Sequence, residues 1–157
     1  MGQSLSSDIY QCREIILSTL LNSNALTALF NSTPQNARDE LLYHTIFPYE
    51  HLPEETENGK RISFELKSVL NLKNRTMTDM TLRFFILCST SELITPSGLW
   101  CDNAAHIIGQ LLNTNAVPAL NGIKFYSNLP CNHIKNFKGR ILRFTFNRFS
   151  DGTNHGK

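Results

Sequence analysis

The sequence of 157 residues lacks several features from which function is commonly inferred. It contains no apolar run of about 18 residues, so we expect no membrane-spanning helix. Its first residues have neither a basic region nor an apolar stretch, and they predict no secretory signal. Lys and Arg number 15 against 13 Asp and Glu, and a net charge of +2 argues against a globally polybasic nucleic-acid-binding protein.

Composition predicts one soluble globular domain. Hydrophobic residues make up 41% of the chain and charged residues 18%, which is the balance of a folded protein rather than of a disordered one. A chain of this length buries roughly 70% of the surface that its unfolded form exposes. We expect residues 1–149 to form the domain and residues 150–157 to be a flexible C-terminal tail.

The chain has little that predicts catalysis or metal binding. Its four cysteines form no C-x-x-C pair, and in the absence of a secretory signal we expect reduced thiols. Cys131 and His133 are close in sequence, but a zinc site needs further ligands to converge on them. There is no phosphate-binding glycine-rich loop and no nucleophile elbow. We therefore expect no enzyme, no metal and no cofactor; a small Cys/His enzyme is the alternative, because the geometry of a triad cannot be seen in sequence.

Hydrophobic periodicity predicts two main helices and four main strands. The helices cover residues 9–20 and 100–112, and the strands cover residues 61–67, 77–88, 123–127 and 140–149. A helical turn over residues 25–30 and a short helix over residues 40–46 are also predicted, the latter ending before Pro48. Paired strands joined by short turns favour an α+β fold, in which an antiparallel sheet of approximately four strands has the two helices packed on one face, in the order α-β-β-α-β-β.

Two of the strands have different burial patterns. Residues 84–87 are apolar without alternation, which predicts a central strand covered on both faces. In the last strand, Leu142, Phe144 and Phe146 alternate with polar residues, which predicts one buried face and one exposed face.

Basic and aromatic residues interleave along this last strand and the loop before it. Such interleaving is one way in which single-stranded nucleic acid is bound. However, the sequence after Gly139 is not the RNA-recognition pattern, and alternation places Phe144 and Arg143 on opposite faces. We keep a small nucleic-acid-binding module as an alternative function.

The order of elements, together with four short segments, resembles the tail terminator proteins of long-tailed bacteriophages, also called tail completion or neck proteins. The match is to members from phages of Gram-positive hosts and extends over residues 9–149. The segments are ELLYHTIFPY (40–49, followed by Pro53), TDMTLRF (78–84), GLWCD (98–102), and Tyr126 through GRILRF (139–144). Trp100 and Cys101 depart from the arginine-containing helix start of the family, and we expect this to alter a subunit contact.

The resemblance implies a structural role in the virion rather than catalysis. Such proteins form a ring, typically a homo-hexamer, that caps the tail tube and joins the tail to the head connector or head-completion protein. Genome DNA passes through the lumen without sequence-specific binding. The resemblance therefore implies a protein without a membrane partner that is assembled in the host cytoplasm and incorporated into the tail of the virion. Another neck component, such as a head-completion or adaptor protein, is the close alternative.

Two predicted loops, over residues 67–77 and 129–139, are long enough to reach a neighbouring subunit. Their basic side chains are our candidates for contacts with a neighbour or with the lumen. These residues are Lys67, Lys73, Arg75, Lys135 and Lys138.

Overall fold

The computed structural model describes residues 5–71, 73, 77–113, 120 and 122–149. Its helices are α1 (Leu5–Leu21), α2 (Asn24–Ala28), α3 (Ala37–Glu40) and α4 (Trp100–Leu112). Its strands are β1 (Ile46–Phe47), β2 (Lys60–Leu70), β3 (Met77–Ser89), β4 (Ile94–Thr95), β5 (Gly98–Leu99), β6 (Lys124–Cys131) and β7 (Phe137–Phe149). Within these ranges, no helix is long and apolar enough to cross a membrane.

The main sheet has five strands in the order β1-β2-β3-β7-β6. The pairs β2–β3, β3–β7 and β6–β7 are antiparallel, whereas β1 runs parallel to β2. The α+β class is confirmed, but the predicted antiparallel sheet of approximately four strands is only roughly matched, because β1 adds a fifth strand that is parallel to β2 and makes the sheet mixed. The predicted order matches the six longest elements and omits α2, α3, β1 and the β4–β5 hairpin.

The short helix predicted over residues 40–46 is wrong. α3 ends at Glu40, and the chain then reverses at Tyr43, whose φ of 65° is left-handed. A left-handed residue stops helical propagation. The next residues are therefore extended, and the amide of Ile62 donates to the carbonyl of Thr45 at 2.8 Å, which aligns β1 with β2.

The main core lies on one face of the sheet, under α1 and α4. The inward residues of β7 are those predicted by alternation, namely Leu142, Phe144 and Phe146. α4 is anchored by Trp100, whose ring packs edge-on against Phe30 at 5.3 Å. Burial of this apolar face is the main source of stability, at about 25 cal/mol per Å².

A smaller apolar cluster lies on the opposite face. It joins Leu87, Cys131 and Phe137 at the end where β3 finishes and β7 begins. The long apolar run of β3 is thus covered on both faces, which confirms the central-strand prediction. The rest of this face, further along β3 and β7, is polar, and we call it the open face.

β6 and β7 are both longer than predicted. β6 continues to Cys131 and β7 begins at Phe137, so that a short turn replaces most of the predicted loop over residues 129–139. Similarly, β2 continues to Leu70, which shortens the loop predicted over residues 67–77.

Candidate interaction surface

β6 forms one edge of the sheet and exposes large apolar side chains. Phe125 is 60% exposed, Tyr126 is 64% exposed and Leu129 is 57% exposed. Phe125 lies on the helix-side face, opposite Phe144, and Leu129 lies on the other face, opposite Ile141. Single exposed apolar residues are common in monomeric proteins, but exposed ones on both faces of one edge strand indicate an interaction site. Among the described residues, no strand pairs with the outer side of β6.

A bulge and a proline interrupt the backbone of this edge. The register with β7 shifts between Phe125 and Ser127, which leaves Tyr126 unpaired. The Tyr126 ring lies against the guanidinium of Arg143, 5.5 Å from its centroid. Bulges and prolines discourage the addition of another strand, so the side chains of β6 are better suited to a contact than its backbone is.

α4 leaves the helix-side face of β6 uncovered. A cleft of about 350 Å³ separates them, with His106 on one wall and Phe125 on the other. Arg140 lines this cleft and donates from Nε to the Asn128 side-chain oxygen at 2.7 Å. A second cleft of about 370 Å³ extends past Asp102 to Leu99. The apolar surface of β6 therefore continues toward the β4–β5 hairpin.

The opposite edge of the sheet carries an aromatic cluster around β1. The rings of Phe47 and His51 stack with centroids 3.9 Å apart, and Tyr49 lies 5.9 Å from Phe47. Tyr43 stacks on Tyr49 at 6.4 Å. Both tyrosines are exposed, at 58% and 42%. The left-handed backbone at Tyr43 holds its ring on the surface beside Tyr49.

An ion pair covers the edge of β2 beyond the two residues that pair with β1. Arg13 on α1 donates to Glu65 at 2.8 Å and also to the carbonyl of Pro48. Glu65 in turn accepts from the amide of Leu66 at 3.0 Å, a backbone group at the sheet edge. Burial by itself raises the pKa of Glu65, but the Arg13 contact and the bonds from the amides of Leu66 and Glu50 outweigh it and lower the pKa below 4.5.

The two edges differ in charge. Residues 124–149, which contain β6 and β7, have no Asp or Glu and six basic residues: Lys124, Lys135, Lys138, Arg140, Arg143 and Arg148. Residues 39–50, which contain β1, have no Lys or Arg and three acidic residues: Asp39, Glu40 and Glu50. Only Lys124 lies in β6 itself, while Arg140 and Arg143 of β7 contact β6 through Asn128 and Tyr126. The surroundings of β6 are therefore basic, whereas the segment that contains β1 is acidic, with Arg38 just before it and Glu50 facing Arg83.

Four of the five basic side chains predicted as contacts are described, and these four do not form one group. Lys67 lies in β2 opposite Thr81, near the β2–β3 turn, and Lys73 lies in that turn. Lys138 lies in β7 opposite Cys88, at the other end of β3, and Lys135 lies in the turn before it. All four are exposed. Arg75 lies outside the described residues, so its placement stays a prediction.

The open face carries arginines at directly opposed positions. Arg83 of β3 pairs in register with Arg143 of β7. Like charges opposed in this way destabilise a sheet unless other groups compensate. Glu50 lies 3.7 Å from Arg83, and the ring of Phe85 lies 5.3 Å from the same guanidinium. Lys67 and Lys124 continue the basic surface in the next row of the sheet.

The cysteines lie inside the protein. All four are buried as thiols. A hydrogen bond from Cys101 lowers the pKa of Cys88, and the same contact, together with burial, raises the pKa of Cys101. Cys131 is buried in the smaller apolar cluster, while His133 is exposed. In the described part of the chain, no three His, Cys, Asp or Glu side chains are grouped as metal ligands would be.

Sequence reasoning missed the apolar residues of both edges. Tyr43 and Tyr49 were assigned to a resemblance segment but not to a surface, and Phe125 and Leu129 were not singled out. Exposed apolar residues have no distinctive periodicity, and their exposure depends on which strand ends the sheet. Trp100 and Cys101, expected to alter a subunit contact, are instead both only 2% exposed, so they belong to the core.

Comparison with known families identifies the chain. Residues 14–146 match the YomW family, and because the match covers most of the sequence, the chain belongs to that family. The family carries the name of a gene product of an SPbeta-like phage, which makes the chain a phage-associated protein. No curated protein matches the sequence.

Proposed function

We propose that this member of the YomW family is a tail terminator: a virion structural protein that forms a ring, caps the tail tube and joins the tail to the head connector. One observation carries the proposal. A phage-associated α+β domain exposes apolar and aromatic side chains at both edges of one sheet. Surfaces of this kind are suited to repeated protein–protein contacts.

The topology is suited to a ring. An interface between two different surfaces of identical subunits is heterologous, and it either closes into a ring or continues as a filament. The two sheet edges are different surfaces on opposite sides of each subunit. A closed ring would fit the cross-section of a tube, with subunits that contact the tail-tube protein on one side and a head-completion protein on the other. Genome DNA would then pass through the lumen.

The test is whether the protein stops tube growth. Purified tail-tube protein from the same phage is polymerised with and without the chain, and tube lengths are measured by electron microscopy. A terminator gives shorter tubes with extra density at one end. Unchanged tube lengths with no end density would overturn the proposal. Binding to isolated head-connector complexes without an effect on tubes would instead favour a head-completion or adaptor protein.

A nucleic-acid-binding module is the second candidate. The opposed pair Arg83 and Arg143, with Lys67 and Lys124 in the next row, favours it. Contacts to phosphates release counterions, so affinity would fall steeply between 50 and 200 mM salt, by roughly a thousandfold for six contacts. A fluorescent oligonucleotide titrated at both salt concentrations distinguishes this candidate from the ring, for which we expect little affinity.

A further inference from the structure

We infer that the β6 edge of one subunit docks on the β1 edge of a second copy of this chain. The inference rests on the proposed ring and identifies the two surfaces that would form it. We call residues 124–131 the β6 edge, and we call residues 39–50, which include β1, the β1 edge.

The distribution of exposed apolar side chains supports the pairing. One group lies at or beside β6: Phe125, Tyr126 and Leu129, with Leu99 across the cleft. The other group lies at or beside β1 and β2: Tyr43, Tyr49, Leu52, Val69 and Leu70. Among the described side chains, the central strands β3 and β7 expose no large apolar residue. Apart from Tyr10 on α1 and Ile94 on β4, the exposed apolar residues are thus divided between the two sides of the sheet.

Charge decides which surfaces meet. A contact between two β6 edges would bring Lys124 of one copy against Lys124 of the other, with Arg140 and Arg143 of β7 directly behind each edge. A contact between two β1 edges would oppose Asp39 and Glu40 in the same way. Pairing unlike edges instead places basic residues near acidic ones, which favours association and selects its orientation. The geometry therefore points to a head-to-tail contact.

The side chains of each edge complement the other. Tyr and Phe are enriched at interface centres, where they bury large apolar area. Tyr43 and Tyr49 present two adjacent rings at the β1 edge, and Leu129 and Phe125 present apolar groups at the β6 edge. Because the bulge at Tyr126 interrupts the ladder, the contact is between side chains rather than through a continuous sheet.

Cysteine crosslinking tests the pairing directly. Two variants, Tyr49→Cys and Leu129→Cys, each place one thiol on one edge. All four native cysteines are at most 3% exposed, so a bis-maleimide reagent reacts mainly with the engineered thiols. Each variant is treated alone and in a 1:1 mixture, at concentrations where light scattering detects an oligomer.

The inference predicts dimeric crosslinks in the mixture and few in either variant alone. A double Tyr49→Cys/Leu129→Cys variant should give a ladder of products that ends at the ring number. Asp79→Cys is the matched control, because Asp79 is exposed on the central strand β3, between β2 and β7 and outside both edges. Crosslinks of each variant with itself, or none in the mixture, would overturn the inference, as would an absence of oligomers at every concentration.

The crosslinking and tube-capping experiments distinguish failure of the proposed contact from failure of the proposed function. Tube capping without mixed crosslinks would leave the terminator proposal intact and reject this interface. Mixed crosslinks without tube capping would support the interface and reject the terminator. Circular dichroism and thermal melting of each variant confirm that the substitutions leave the fold unchanged.

Discussion

The two edges of the sheet are completed differently. At the β1 side, the chain covers its own edge: β1 pairs with the start of β2, and Glu65 then accepts from the Leu66 amide while Arg13 holds it in place. At the β6 side, no described strand follows, and only a bulge and Pro130 protect the backbone. Both edges expose apolar side chains, but only the β1 side satisfies its edge hydrogen bonds with other described groups of the chain.

This difference separates stability from assembly. The contacts that close the β2 edge are internal, so their loss should lower the free energy of unfolding. The exposed side chains of β6 contribute little to the isolated fold, so their replacement should change association instead. Substitutions at the shared centre of the sheet and at each edge test this separation.

The largest effect is expected at the centre, where β3 meets β7. A Cβ added at Gly139 would collide with the carbonyl oxygen of Ile86 and would lie 2.7 Å from Leu87 Cδ2. Because a backbone atom cannot move as a side chain can, we expect Gly139→Ala to lower the free energy of unfolding by about 3 kcal/mol, measured by urea denaturation.

Gly109→Ala is the matched control for this substitution. Nothing lies within 4 Å of a Cβ at Gly109, which is within α4. Alanine favours helix, so this variant should be slightly more stable than the parent, by up to about 1 kcal/mol. Equal stability of the two variants would show that the β3–β7 seam is not tightly packed.

A smaller effect is expected at the closed edge. Replacing Arg13 with Ala removes its ion pair with Glu65. The side chain of Arg13 is 24% exposed and that of Glu65 is 35% exposed. A pair this accessible to solvent contributes about 0.5–1 kcal/mol. A double-mutant cycle with Glu65→Gln should give a coupling energy of that size, and a coupling near zero would contradict the proposed closure of the edge.

The same edge should make stability depend on pH. Because the pKa of folded Glu65 is lowered from 4.5, its contribution is fully present above pH 4.5 and is lost as pH falls through the folded pKa. The parent should therefore lose more stability than Glu65→Gln between pH 5 and 3, as measured by thermal melting. Parallel losses in the two proteins would argue that the carboxylate has no favourable partner.

The smallest effect on folding is expected at β6. Leu129→Glu should change the free energy of unfolding by less than about 0.5 kcal/mol, because the side chain is already exposed. The same change should weaken self-association at least tenfold in sedimentation velocity. Tyr10→Ser serves as the control and should affect neither quantity; an L129E protein that associates like the parent would exclude β6 from the interface.

Sequence patterns predicted the elements whose burial is regular. Three patterns were each sufficient to predict an element of the fold. They are the two-sided apolar run of β3, the helical spacing of apolar residues in α4 from Trp100, and the alternation at Leu142, Phe144 and Phe146 in β7. β1 was missed because a strand of two residues is too short to show hydrophobic periodicity. Its extended conformation depends instead on pairing with β2, which is distant in sequence. β6 was underestimated because almost every side chain in it is exposed.

The candidate surface was less predictable than the fold. Lys67 and Lys138 were selected as basic residues in loops, but both lie in strands, at opposite ends of β3. Alternation indicates which residues of a strand face the core, but it does not reveal which strand ends the sheet. The apolar edges became visible only from the strand order.

The mass of the purified protein in solution tests the central claim most directly. Multi-angle light scattering is recorded across concentration, with and without tail-tube protein from the same phage. The account predicts a discrete ring of about six subunits, formed either by the protein alone or on the tubes. A strict monomer at every concentration that also ignores tubes would contradict it.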